Sequence, residues 1–332
     1  MHEKDIKFVP RFVHFYMVPF TGLGLHNGFR GNQWLKNRIQ IFKDYVIPSL
    51  VSQGSEYFYV WFCWRPEEKG NSLVQEFQKT LEGIRYLYTV HTFGGIPFYD
   101  DKYDDQTARE RLLKTLEISL PELKSHVGEI PYVLLTIQPS DDMYLSNARK
   151  DLKDKFTELL EKNPENTRRA VGWKEGYIIN FPTKEIAEYN TTGWTTDHIS
   201  TYHTDTIPPF FTILFPSDVF LDPQKHFDHI GPYQSHEHIA DIMDYTVLEG
   251  RGFVVGVHGE NISTTYNHRY RGRILDKEET EAILIKTGTL FAPPVKFKPS
   301  GRMRLRKIVN LLPFRNQLKS LYYSLPIAFR KI

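Results

Sequence analysis

The stretch PYVLLTIQPSDD at positions 131–142 constrains the fold of this chain more than any other segment. Six consecutive strand-forming residues, Tyr132–Ile137, stand before a proline and two adjacent carboxylates. Because this strand is apolar along its length, it must be buried on both faces, in a sheet that is covered on both sides. Its carboxyl end would deliver Asp141 and Asp142 to the edge where open α/β sheets bind ligands. A polar loop after a core strand is the plainer interpretation.

Paired carboxylates at such an edge suit a hard divalent cation. Mg²⁺ and Mn²⁺ prefer oxygen ligands and share them with phosphate groups. A second apolar run, Gly252–Val257, delivers His258. If the two strand ends meet, Asp141, Asp142 and His258 would surround one cation and leave open positions for a diphosphate. A turn histidine bonded to the adjacent backbone is the alternative for His258.

Strand-like and helix-like segments alternate through the first half of the chain. This alternation predicts an α/β fold with a mostly parallel sheet and helices on both faces. Asn32 is the expected N-cap of the first helix, and Pro48 marks its expected end. The buried face of that helix is predicted to carry Trp34, Leu35, Ile39, Phe42 and Val46. Further predicted strands lie at 11–20, 57–63, 84–90, 131–138 and 176–181, and further helices at 72–82, 106–118 and 146–161. The residues from 189 to 238 are rich in Thr, Pro, His and Asp, and this composition predicts loops.

The chain carries features of a globular protein that works in a reducing compartment. Its 332 residues suffice for a full core, and the single cysteine, Cys63, excludes a disulfide framework and is expected to be a buried thiol. No apolar run approaches the roughly 18 residues that span a bilayer. The charged N-terminus has no signal-peptide core, so we expect a cytoplasmic protein.

Charge is distributed unevenly along the chain. No Asp or Glu follows Glu281, whereas 11 Lys and Arg lie between Lys286 and Lys331. This asymmetry divides the chain into a body at 1–281 and a basic, partly apolar C-terminal tail at 282–332. Interleaved cationic and apolar residues in the tail predict peripheral contact with anionic lipid on the inner face of the membrane. Packing of the tail on the acidic body is the alternative, and nucleic acid is not the expected partner.

Histidines are concentrated between positions 198 and 238. His203 and Asp205, followed by His258, imitate the two-histidine, one-carboxylate triad of Fe(II)/2-oxoglutarate-dependent oxygenases, with Arg269 or Arg271 for the cosubstrate. The tripeptide at 236–238 would also suit zinc. Such short patterns often match by chance, and most of these histidines are expected to be ordinary loop residues.

Several segments of residues 11–272, taken together and in their order along the chain, resemble a family of rhamnosyltransferases that have a GT-A-like nucleotide-sugar-binding fold. The acidic motif of that family reads Asp-x-Asp-Asp, and Pro139 stands at its first position here. The matching pieces are Trp34-Leu35, Arg38, Phe42, Pro48-Ser49-Leu50, Gln53, Trp61, Ser140-Asp141-Asp142, Gly176-Tyr177, Asn180-Phe181-Pro182, Pro209-Phe210, Val257-His258-Gly259, Asn261 and Ser263.

The resemblance implies a single large GT-A-like domain and a metal-assisted glycosyltransferase. Such an enzyme moves a rhamnose-like or other hexose from a nucleotide-diphosphate donor to a hydroxyl group of a cell-envelope or lipid-linked glycan. The metal-binding carboxylate on which GT-A enzymes rely corresponds to Asp141 or Asp142 in this resemblance. In the predicted site, both carboxylates bind the cation, and His258 is a third ligand or a contact of the diphosphate. The predicted donor contacts are Arg30, Arg38, Ser140 and Asn261. Arg38 on the outer face of its helix is the alternative for that residue.

An inverting reaction would also need a general base for the acceptor hydroxyl. Glu237 lies about as far beyond the acidic motif as the base of other GT-A transferases, and Asp205 is its rival. A catalytically degenerate relative that binds a glycan without turnover is the non-enzymatic alternative.

Overall fold

The structure is a computed structural model that describes residues 10–22, 31–54, 58–96, 107–191, 210–230, 239–258, 266 and 271–295. The strands are β1 (Phe12–Val18), β2 (Phe58–Cys63), β3 (Thr89–Thr92), β4 (Tyr132–Ile137), β5 (Met143–Tyr144), β6 (Arg169–Asn180), β7 (Glu185–Asn190), β8 (Phe211–Pro216), β9 (Asp244–Val257) and β10 (Arg271–Ile274). The helices are α1 (Asn32–Ile41), α2 (Ile47–Val51), α3 (Ser72–Glu82), α4 (Ala108–Val127), α5 (Ala148–Lys162), α6 (Ser217–Leu221), α7 (Pro223–Ile230), α8 (Ile239–Ile242) and α9 (Lys277–Lys286).

Within the described ranges the strands form one ten-stranded mixed sheet. Its main order is β10-β7-β6-β8-β4-β1-β2-β3, while β9 pairs with β6 and β5 pairs with β9. The pairs β3–β2, β2–β1 and β1–β4 are parallel. Strand β8 lies between β4 and β6 and pairs antiparallel with both. The predicted parallel arrangement therefore holds for the first four long strands, and β6 and β9 form a further parallel pair.

The central strands are buried on both sides, as their apolar sequences predict. In β1, Tyr16 and Val18 face a core that includes α1, α3 and α5, whereas Phe15 and Met17 face a second core that includes α4 and α7. Full burial of a large apolar side chain contributes about 1.5–3 kcal/mol, so both helix layers are strongly held to the sheet. The predicted α/β class, with helices on both faces of one sheet, is confirmed.

The first helical segment differs from its prediction at both ends. Gly31, with a φ of 91° that favours glycine, is the N-cap in place of Asn32, and its lack of a side chain leaves no side-chain cap bond. The helix does not end at Pro48, because a π-helical turn at Phe42–Val46 leads into α2. Pro48 lies in the first turn of α2.

Three other predicted boundaries are wrong. Helix α4 continues past Pro121 to Val127, because its leucine face remains buried against the sheet. Strand β3 is Thr89–Thr92 rather than 84–90. The region predicted as loops contains β8, α6 and α7. Each is only five to eight residues long, which is too short for a periodic pattern to show in the sequence.

The predicted division of the chain after residue 281 stays a prediction. Helix α9 crosses that position, and Ile283, Leu284 and Val295 are buried in a common apolar cluster. The basic residues from Lys296 onward lie outside the described residues. Within the described ranges, no helix combines the length and the apolar character that crossing a bilayer requires.

Candidate ligand-binding site at the switch point of the sheet

The acidic turn after β4 lies at the topological switch point of the sheet. From β1 the chain adds β2 and β3 on one side and then returns to place β4 on the other side of β1. Ligands of open α/β sheets bind in the crevice outside the carboxyl ends of two such strands. The backbone N–H of Gln138 donates to the carbonyl oxygen of Met17 at 2.8 Å, so the β1–β4 pairing continues up to the turn.

Strand β9 brings His258 to this turn. The short strand β5, which follows Asp142 directly, pairs antiparallel with β9, with Met143 opposite Val254. Continuing that register places Gly256 beside the acidic pair and His258 just beyond it. The backbone N–H of Gly256 donates to Oδ1 of Asp142 at 2.8 Å. The two strand ends therefore meet, which is the condition that the sequence analysis set for a shared site.

Arg38 completes the cluster from helix α1. Its Nη1 lies 2.6 Å from Oδ2 of Asp141, and Nε2 of His258 lies 3.2 Å from the same oxygen. The guanidinium carbon also lies 5.7 Å from the ring centroid of Trp34, one helical turn earlier. Arg38 is only 7% exposed, so its assignment to the outer face of the helix is wrong. Its predicted contact with phosphate stays a prediction.

The pKa values of Asp141 and Asp142 are shifted in opposite directions. Burial by itself would raise the pKa of Asp141, but the charge of Arg38 and the hydrogen bond from His258 outweigh it and hold that pKa well below its ordinary value. Burial and the charge of Asp141 raise the pKa of Asp142 well above its ordinary value, despite the Gly256 bond and Arg38. These shifts favour the charged form of Asp141 and the neutral form of Asp142.

Gln138 fixes the backbone of the turn, a role that the sequence analysis missed. Its Nε2 donates to the carbonyl oxygens of Pro139 at 2.9 Å and of Asp142 at 2.7 Å. Ser140 lies half-buried within the same turn. The available signal was a glutamine at the end of an apolar strand, where a buried amide must find backbone partners.

The structure brings together Arg38, Asp141, Asp142 and His258. The remaining predicted site residues, Arg30, Asp205, Glu237 and Asn261, lie outside the described residues, as do His203 and Arg269 of the oxygenase alternative. Arg271 is the first residue of β10.

Two of the clustered histidines have structural partners. The ring Nδ1 of His226 lies 2.9 Å from the carbonyl oxygen of Phe220, and Nε2 of His229 lies 2.8 Å from that of Leu214. Both belong to helix α7, and His226 is fully buried. These two therefore lie in a helix and not in a loop, and the other four histidines of the stretch lie outside the described residues, so the expectation that most are loop residues stays a prediction.

The cluster does not fit a preformed divalent-cation site. Among the described residues, no group of three or more His, Cys, Asp or Glu side chains is arranged to hold a metal ion. Oδ2 of Asp141 already faces Arg38, and Oδ1 of Asp142 accepts the N–H of Gly256. A cation bound to Oδ2 of Asp141 would compete with the guanidinium for that oxygen. The metal-ligand roles of Asp141, Asp142 and His258 stay predictions.

The comparisons with known proteins found similarity only to solved structures. No protein-family profile and no curated protein matches the chain. Among the solved structures, TarS 1-349 of S. aureus has a TM-score of 0.33 at 11% identity, and the match covers 74% of this chain and 60% of that one. TarS 1-349 in complex with UDP-GlcNAc has a TM-score of 0.36 at 10% identity, with 92% and 77% covered. S. aureus TarS has a TM-score of 0.31 at 10% identity, with 74% and 37% covered. With all TM-scores below 0.5, the description of the fold depends on the strand order given above.

Proposed function

We propose that this chain is a GT-A-type glycosyltransferase that binds a nucleotide-diphosphate sugar at the switch point and transfers the sugar to a hydroxyl acceptor. The observation that supports this proposal most is the buried contact of Arg38 and His258 with one carboxylate oxygen of Asp141. This contact places a guanidinium and an imidazole at the sheet edge where α/β folds bind nucleotides.

Each described residue of the cluster has a role in this proposal. Arg38 offers N–H donors to diphosphate oxygens, and guanidinium pairs well with phosphate. Asp141 orients Arg38 through their 2.6 Å ion pair, and His258 borders the same carboxylate. Asp142 accepts the backbone N–H of Gly256 through Oδ1 and so holds the acidic turn against the end of β9. Donors placed where charge develops on the departing diphosphate lower the barrier to transfer.

The finer features of the proposal come from the sequence analysis. A rhamnose-like or other hexose is the proposed sugar, and a cell-envelope or lipid-linked glycan is the proposed acceptor. Glu237 or Asp205 would remove the acceptor proton in an inverting reaction. The basic tail would hold the enzyme at an anionic membrane surface on the cytoplasmic side. A divalent cation on Asp141, Asp142 and His258 would first require Arg38 to leave Asp141.

A donor screen tests the proposal. The full chain is incubated with UDP-, dTDP- and GDP-linked hexoses and with dTDP-rhamnose, with and without Mn²⁺, and release of the nucleoside diphosphate is measured. Hydrolysis of one donor, lost in Arg38→Gln and kept in the Lys36→Gln control on the exposed side of α1, supports it. Nucleotide binding without turnover would favour the degenerate, binding-only alternative. Absence of both binding and turnover would refute the proposal.

A further inference from the structure

We infer that Arg38, rather than a divalent cation, supplies the positive charge that a nucleoside diphosphate meets at this site, so that binding of the diphosphate does not require a metal ion. This inference rests on the proposed function. It concerns how the donor is held and leaves the identity of the sugar open.

The geometry of Arg38 carries the inference. In a metal-dependent site, a cation bridges a protein carboxylate and the phosphate oxygens. Here the guanidinium already lies 2.6 Å from the carboxylate of Asp141. A guanidinium has five N–H donors in a planar fork, so one ion pair leaves further donors for phosphate oxygens. Arg38 can therefore make the same bridge between carboxylate and phosphate as a cation.

Unsatisfied donors on helix α1 support this role. Within the described part of the chain, Nε of Arg38 and the indole Nε1 of Trp34 are both buried without a hydrogen-bond acceptor. The two residues are four positions apart and so share one face of α1. Buried donors normally have partners, and a pair of donors that lack them calls for acceptor atoms. The oxygens of an anionic ligand would provide such acceptors.

Competition at Asp141 argues against a cation in the same place. Oδ2 of Asp141 also lies 3.2 Å from Nε2 of His258, so a metal ion at this oxygen would compete with two existing partners. Displacing Arg38 would leave its charge unpaired in a site where the residue is 7% exposed. An uncompensated buried charge is strongly unfavourable. The lower-cost arrangement keeps Arg38 in place and adds the phosphate to it.

Calorimetric titration of the full chain with UDP, dTDP and GDP tests the inference, each once in EDTA and once in Mn²⁺. We expect the dissociation constant of the tightest nucleotide to differ by less than about threefold between the two buffers, because guanidinium–phosphate pairing needs no metal. Arg38→Gln should weaken binding by at least about tenfold in both buffers. Lys36→Gln removes one positive charge from the exposed side of the same helix and should leave binding unchanged.

A second variant, Asp141→Asn, distinguishes metal binding by Asp141 from phosphate binding by Arg38. If Asp141 is a metal ligand, this variant loses binding. If Arg38 holds the phosphate, the variant weakens binding less than Arg38→Gln does and by a similar factor in EDTA and in Mn²⁺, because Asp141 then acts by orienting Arg38 and not by holding a metal ion. Circular dichroism of both variants confirms that each remains folded.

The outcomes separate the inference from the proposed function. Binding that requires Mn²⁺ and is lost in Asp141→Asn overturns the inference and leaves the transferase proposal standing. Failure of all three nucleotides to bind in either buffer overturns both. Equal binding in both buffers, lost in Arg38→Gln alone, supports the inference.

Discussion

The backbone N–H of Gly256 donates to Oδ1 of Asp142 at 2.8 Å, across 114 positions of sequence. This bond joins the end of β9 to the acidic turn after β4 and so holds both halves of the candidate site together. A Cβ at position 256 would overlap the carbonyl oxygen of Asp141 and the ring of Phe181. The close approach of the two backbones therefore requires glycine.

Gly256→Ala is expected to destabilise the fold. Overlap with backbone atoms cannot be relieved by a side-chain rotation, so we expect a loss of about 2–3 kcal/mol in the free energy of unfolding. Urea denaturation measures it. Gly70→Ala is the matched control, because a Cβ at that position meets no atom within 4 Å and should change stability by less than about 0.5 kcal/mol. Equal stability of the two variants would contradict the close packing of β9 on the acidic turn.

Arg38 and Asp141 are expected to show strong energetic coupling. Removing one partner of a buried ion pair costs about 3–5 kcal/mol, because the other charge is left without compensation. We therefore expect Arg38→Met to cost that amount and the double variant Arg38→Met/Asp141→Asn to cost less than the sum of its singles. Urea denaturation at pH 7 gives the free energies of unfolding of the unmodified chain, the two single variants and the double variant, from which the coupling is obtained.

The surface pair of Arg273 with Glu279 is the control for this cycle. Both side chains are substantially exposed, and such pairs contribute about 0–1 kcal/mol. Additive effects of Arg38→Met and Asp141→Asn, of the size seen at the surface pair, would show that the buried ion pair does not stabilise the fold.

A half-buried histidine, His91, and a buried one, His226, predict a loss of stability in mild acid. Burial lowers the pKa of His91 and of His226 to about 4 in each case. The ring of His91 also accepts the indole N–H of Trp64 at 3.0 Å, which requires an unprotonated Nδ1. Unfolded histidines titrate near pH 6.5, so the unfolded chain binds more protons below that pH. The stabilisation is complete above pH 6.5 and is lost as the pH falls towards 4.

His226→Gln is expected to reduce this pH dependence. Each histidine contributes on the order of 3 kcal/mol to the difference between pH 7 and pH 4, according to the size of its pKa shift. The free energy of unfolding, measured in urea between pH 7 and 4.5, should therefore fall less steeply in the variant. An unchanged slope would mean that His226 is protonated equally in the folded and unfolded chains.

Gln138 is expected to position the acidic turn. Gln138→Leu keeps the size of the side chain but removes its bonds to the carbonyl oxygens of Pro139 and Asp142. Leaving buried carbonyl groups unsatisfied costs about 1–3 kcal/mol, which urea denaturation detects. Because the turn carries Asp141, the affinity for nucleoside diphosphates should also fall. Unchanged stability and affinity would show that the turn keeps its shape without the amide.

Parts of the fold that depend on local pattern were predictable. Helix α3 has the predicted bounds, because its apolar face is regular and Asn71 caps it by accepting the N–H of Leu73. The two segments that supply the acidic pair and His258 were predicted because each is an apolar strand followed by polar residues. Short elements such as α6 offer too few residues for a period to be visible.

The position of Arg38 could not be predicted from local pattern. It is a charged residue beside the apolar stripe of α1, and such a residue normally lies at the surface. Its burial depends on Asp141, which is supplied by the turn after β4 and has no local connection to α1. The requirement for glycine at position 256 could not be predicted either, because it arises only when β9 reaches the acidic turn.

A crystal structure of the full chain, grown with whichever of UDP, dTDP and GDP binds most tightly, tests the central claim most directly. The account predicts diphosphate oxygens within hydrogen-bond distance of the Arg38 guanidinium, between the carboxyl ends of β1 and β4. A diphosphate bound elsewhere, with Arg38 and Asp141 still paired and out of its reach, would contradict it.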